Sequence, residues 1–192
     1  MKTALFALLV ALASSTPYAA VPAHDGSHDF DWETGSWDTR VQRLRAPLSG
    51  KNEWLDYAGT TVVRPAVGAR ANLVELDVQG PGGRIAGVSL RLYHPDSGQW
   101  ALHFANLANG ELTEPVHGGF VDGHGSFYGV DSVNGRRVLV RFLIMPLGSG
   151  RWRFEQAYSA DGGKSWEDNW IATDTRRPGP TPPSAHPTEG TP

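Results

Sequence analysis

The chain contains no cysteine, which removes disulfide bridges, thiolate metal sites, iron–sulfur ligation and a thiol nucleophile together. Stability has to come from a packed core. Blocks of basic charge are missing too: 17 Lys and Arg stand against 20 Asp and Glu for a formal charge of −3, and basic residues meet only in pairs such as Arg136-Arg137 and Arg176-Arg177. Without a basic stripe there is no electrostatic footprint for a phosphate backbone, so no nucleic acid is expected as a partner. Long apolar runs are absent except at the N terminus, and no membrane-spanning helix is expected in the body of the chain.

That one run, Ala4 to Ala13, follows Lys2 and precedes Ser14-Ser15-Thr16-Pro17. Its position, its length and the small residues after it read as a secretory signal peptide over 1–23, with cleavage after Ala19, Ala20 or Ala23. The expectation is an exported protein, periplasmic or secreted. Beyond Arg177, Pro recurs at 178, 180, 182, 183, 187 and 192 among Gly, Thr and Ser, a composition that cannot bury enough apolar surface to order itself. A disordered tail is expected over 177–192, leaving one domain over 28–176.

Within that domain no amphipathic helix is evident. Runs of alternating apolar and polar residues recur between turn signals, giving expected strands at 36–45, 54–65, 71–79, 85–94, 99–106, 115–121, 125–132, 136–145, 151–159 and 167–175. Asp122-Gly123 and Asn134-Gly135 favour the positive φ of tight hairpin turns, so successive strands should pair antiparallel. The fold class is therefore all-β, an antiparallel up-and-down barrel of about ten strands, closure being the way to remove exposed edges. A two-sheet sandwich also tolerates the mixed faces. An outer-membrane barrel is disfavoured because Arg, Asp and Gln recur on both faces of the strands, where lipid requires an apolar band.

The segment Asp29-Phe30-Asp31-Trp32-Glu33-Thr34-Gly35-Ser36-Trp37 resembles the opening of lipocalin-type barrels through its Gly35-x-Trp37. That resemblance implies a Trp packed at the barrel base with an Arg from a late strand lying over it; Arg176 is the candidate and Arg141 the alternative. The span from Phe30 to Arg176, including Gly87 to Tyr93, Phe127-Tyr128-Gly129 and Trp152 to Ser159, is similar to a family of secreted bacterial lipocalin-like (calycin-type) barrels of unknown function, a likeness that brings no established active-site residues. Ser159-x-Asp161-x-Gly163-x-x-Trp166 matches the Asp-box of sialidase-like propellers. A single copy cannot build a propeller, and it reads as a structural hairpin staple.

Four histidines, His94, His103, His117 and His124, raise metal or haem binding, but no pair has the close spacing of a zinc site. His103 lies mid-strand and is the one candidate to face a cavity, where a barrel could hold haem. Cleavage after Ala23 would expose His24-Asp25-Gly26-Ser27-His28 as a chelating start, against the simpler reading of a mobile end. No cofactor and no metal are expected. For a ligand pocket, Arg91, His103, Tyr128, Arg141, Glu155 and Trp170 stand out as polar or amphipathic residues inside otherwise apolar strands. An inward Arg would anchor a carboxylate or phosphate, and Glu155 with His103 could form an acid–base pair.

The leading expectation is a barrel binding a small, partly apolar molecule. A cofactor-free cyclase, isomerase or hydrolase on the same scaffold is the alternative, and requires two titratable groups converging in one pocket. A protein-interaction module, the third reading, requires a large exposed apolar patch.

Overall fold

A computed structural model describes residues 25–68 and 70–178. The expected leader, His24 and the Pro-rich segment beyond Pro178 lie outside the described residues. Two short 3-10 turns, Gly26–His28 and Asp31–Glu33, precede eleven strands: β1 Gly35–Leu44, β2 Trp54–Ala66, β3 Ala71–Gly80, β4 Gly83–His94, β5 Gln99–Asn106, β6 Glu111–Leu112, β7 Val116–Val121, β8 His124–Val133, β9 Arg136–Gly148, β10 Arg151–Ser159 and β11 Glu167–Arg176. Every pairing is antiparallel, each long strand lies beside its chain neighbours, and β1 pairs with β11 to close a ten-strand barrel. The two-residue β6 pairs only with the end of β5; it is the one strand the alternation pattern does not announce.

Turn chemistry follows the sequence. Asn134 and Gly135 both take positive φ (52° and 76°), as do Asp122 and Gly123 (49° and 75°), the geometry whose twist matches that of the flanking strands. Because the strands alternate in direction, the loops divide into two ends. The turns β2–β3, β4–β5, β7–β8 and β9–β10 gather at the end where β1 begins, and the others surround the opposite end.

The first end is plugged. The 3-10 turns lay Phe30 into the barrel, 2% exposed, in edge-on contact with Trp100 and Phe120. The Trp100 indole N–H donates to the carbonyl of Gly26 at 2.8 Å, which ties the first 3-10 turn to the barrel. Gly35-x-Trp37 sits beside the plug, where the Trp37 indole N–H donates to the Glu33 carbonyl at 2.7 Å. Arg176, and not Arg141, covers that indole, with its guanidinium 4.1 Å from the ring centroid. The same guanidinium donates to the carbonyls of Thr34, at 3.0 Å, and Trp32. Gly35 has φ +126°, and a Cβ there would lie 3.0 Å from the Arg176 Nη1; glycine is required both by the backbone angle and by the guanidinium that occupies the space. One residue on, the Arg177 N–H still bonds the Ser36 carbonyl at 3.0 Å.

The Asp-box residues are joined by hydrogen bonds in the turn between β10 and β11. Ser159 Oγ donates to Asp161 and accepts from the Gly163 N–H, while Asp161 also accepts from the N–H groups of Lys164 and Ser165 and from the Ser165 hydroxyl. This set of donors, the Ser165 hydroxyl foremost, holds the Asp161 carboxyl far below the usual range. On the outer wall, Arg64 pairs with Glu75 and Arg84 with Asp77 across strands, charges that a lipid-facing band would exclude. Among the described residues no helix is long and apolar enough to cross a membrane.

Arg176→Ala removes a cation–π contact and two charge-assisted hydrogen bonds and is expected to destabilise by about 1–2 kcal/mol. Urea unfolding followed by tryptophan fluorescence measures this, and an unchanged midpoint would contradict the clamp.

Candidate functional site

The barrel is not filled. A cavity of about 340 Å³ runs inside it from the plugged end toward the open one, at the lower end of the range of small-molecule sites. Its middle is apolar, walled by Leu76, Ile85, Leu102, Phe104, Val116, Val140, Phe142, Ile144, Phe154 and Ala172. These are inward positions of strands with period-two alternation, such as Leu102 and Phe104 on either side of His103. The mouth is edged by Arg43, Pro47, Asn106, Thr113, Glu114, Asp131, Gln156, Tyr158, Asn169 and Trp170. A register shift near Gln156 and Ala157 in the β10–β11 pairing leaves Asn169 without a directly opposite residue, so Asn169 and Trp170 both reach the interior. The Gln156 amide donates to Asn169 Oδ1 at 2.8 Å.

Charge lies at the floor. Arg91, 7% exposed, is joined to Glu33 through both terminal nitrogens, and the flat guanidinium lies 4.3 Å from the Phe30 ring centroid. The Glu33–Arg91 pair is thus closed on itself, tying the plug to β4. Beside it, Asp174 Oδ1 accepts a 2.5 Å hydrogen bond from the Thr39 hydroxyl, and Thr39 is 2.7 Å from the Thr61 hydroxyl. Burial pushes the Asp174 carboxyl up to about 6, with the nearby Glu33 charge adding to the rise and Thr39, Arg91 and Thr61 opposing it. Nearer the mouth, the Tyr158 hydroxyl donates to Asp131 at 2.8 Å; burial and the Asp131 charge push the phenol well above its ordinary value.

Two of the six residues singled out from sequence, Arg91 and Trp170, line this cavity. The other four occupy the outer wall. His103 alternates with the inward Leu102 and Phe104 and has its Nδ1 3.3 Å from the Thr113 carbonyl. Glu155 accepts from Arg153 at 2.5 Å, so Glu155 and His103 do not meet in the interior. Tyr128 and Arg141 pack under the Asp-box hairpin: the Arg141 guanidinium lies 4.9 Å from the Trp166 ring centroid and Tyr128 meets the same ring edge-on. The alternation around them is as good as around Arg91, and only pairing register distinguishes the faces. His94, His117 and His124 are exposed. Among the described residues the large exposed apolar side chains are scattered, with Val67, Leu92, Val121 and Leu147 toward the plugged end, Tyr128 on the wall and Leu107 and Leu112 by the mouth.

No family model and no curated protein matches the chain. Among solved structures, the chain is similar to an S-type phycobiliprotein lyase from Guillardia theta, at 9% identity and a TM-score of 0.58, covering 82% of this chain and 95% of that one. A redesigned β-barrel, mFAP0, solved bound to DFHBI, aligns at 10% identity and a TM-score of 0.42 over 76% of this chain and 99% of that one. The likeness to the lyase establishes a shared β-barrel fold.

Asp174 makes stability depend on pH in a direction opposite to that of an ordinary paired carboxylate. Its folded value of about 6 exceeds the ordinary 3.8, so the native state holds more protons between those values and its stability falls as pH rises through that window, by about 3 kcal/mol at most. Asp174→Asn keeps an acceptor for Thr39 and removes the ionisation. Its stability relative to wild type is expected to be higher at pH 7.5 than at pH 4.5 in urea melts; an equal difference at both would contradict the assignment.

Proposed function

We propose that this chain is an exported lipocalin-like barrel that binds a small, partly apolar molecule in its interior. The observation that carries the reading is a cavity with an apolar middle, closed at one end by an ordered plug and provided with polar groups at floor and mouth, the combination that gives affinity by burial and orientation by a few polar contacts. Export rests on the Lys2-led apolar run and the small residues after it.

One observation favours catalysis as a second reading. Asp174 edges the cavity with its proton affinity raised toward neutrality, and Glu33 lies close enough to contribute to that rise. An acid of that strength in a pocket suits proton transfer to a bound substrate. The pair that sequence offered for this, Glu155 with His103, is replaced by floor residues from the plug and β11.

Native mass spectrometry of gently purified protein tests both. A retained, unaltered small-molecule mass is binding; a mass that changes on incubation with wild type but not with Asp174→Asn is turnover. For a ligand-free preparation, the neutral dye Nile red is the probe, with energy transfer expected from the lining Trp152 and Trp170. Ala172→Phe, which places a ring in mid-cavity, should weaken dye binding at least tenfold with an unchanged far-UV spectrum. Absence of both a retained mass and dye binding would overturn the proposal.

A further inference from the structure

The cavity floor carries a charge that the protein itself does not balance. Glu33 and Arg91 neutralise each other through the two terminal guanidinium nitrogens, and the face of that guanidinium is spent on Phe30. Arg91 keeps only its buried Nε without a partner, and its charge is already balanced by Glu33, so it offers no fork of two free nitrogens for a carboxylate or phosphate. What remains is Asp174, whose partners at the floor are the neutral hydroxyl chain of Thr39 and Thr61. A carboxylate offers roughly four acceptor positions, and Thr39 fills one.

The wall beside Asp174 is aromatic. In the β10–β11 pairing Asp174 stands directly opposite Trp152, and Trp152 stacks on Trp32 of the plug, with ring centroids 3.3 Å apart. Both indoles line the cavity along with Asp174. An indole face attracts a cation through its quadrupole and does not attract an anion. The carboxylate and the indoles thus favour the same kind of guest, while the apolar middle of the cavity accepts a hydrocarbon body.

We infer that the floor formed by Asp174, Trp152 and Trp32 receives a positively charged nitrogen, and that the ligand is an apolar amine held head-down in the barrel. This deepens the binding reading above and rests on it. The ammonium group replaces the water that burial has taken from Asp174, so the carboxylate recovers a counter-charge only when the ligand is present. An acid of the same shape brings a second unbalanced negative charge beside Asp174 and is rejected.

A matched series of octylamine, octanol and octanoate, competing against bound Nile red at pH 7.5, tests this on the wild-type protein alone. Octylamine should displace the dye at a concentration at least tenfold lower than octanol, with octanoate the weakest. In Asp174→Asn the amine-over-alcohol ratio should fall to near one. Octanoate equal to or better than octylamine in the wild type, or an undiminished ratio in Asp174→Asn, would overturn the inference. Nile red bound and displaced equally by all three would leave the cavity reading standing and remove this one, whereas no dye binding and no binding of any of the three would remove both.

Discussion

The contact on which the rest of the molecule depends is that of Arg176 with Trp37. The last strand delivers the guanidinium, the first delivers the indole, and the carbonyls that the guanidinium binds belong to the segment that plugs the barrel. A cation that must satisfy three such partners has one position available, and that position sets the β1–β11 register and the placement of the plug together. Phe30, Trp32 and Glu33 are thereby held inside the barrel end rather than beside it. The cavity inherits its floor from this arrangement, since two of its floor residues come from the plug and not from a strand.

Keeping charge at that floor is thermodynamically unfavourable unless each group is matched. The Glu33–Arg91 pair is matched through two hydrogen bonds, which offsets part of the cost of removing both ions from water. Asp174 has only hydroxyl partners of its own, and its elevated proton affinity is the expression of that shortfall. Fully packed cores avoid such groups. Their presence beside unfilled space, rather than within a close-packed region, is what separates a site from a core.

Much of the fold was legible in the sequence because period-two alternation and Asn-Gly or Asp-Gly turns are local signals. All ten long strands were readable in that way, whereas Gly35-x-Trp37 pointed to the base only through its resemblance to lipocalin-type openings; that Arg176 crowds the backbone at Gly35 is seen only in the structure. The two-residue β6 was not readable, having too few residues to alternate. The site was only partly legible. Arg91 and Arg141 sit in similar apolar surroundings along the chain, yet one points to the cavity and the other packs against Trp166, because facing is decided by register across strands and not by neighbours in sequence. Glu33 and Asp174 gave no signal at all: one lies in a short turn before the first strand, the other near the end of the last, and only closure of the barrel brings them together. Their separation in the chain hides a cluster that is compact in space.

The barrel wall is not uniform around its circumference. Between β5 and β7 only Trp100, Ala101 and Leu102 find partners, in Gly118, His117 and Val116, while β8 and β9 pair along nearly their whole length. Beyond that short seam β5 is continued only by the loop carrying Leu107 and by the two residues of β6, Glu111 and Leu112. Few ladder hydrogen bonds make that seam the part of the wall with the least backbone support. The wall is thus least continuous between β5 and β7, on a side of the ring remote in strand order from the β1–β11 seam that Arg176 clamps.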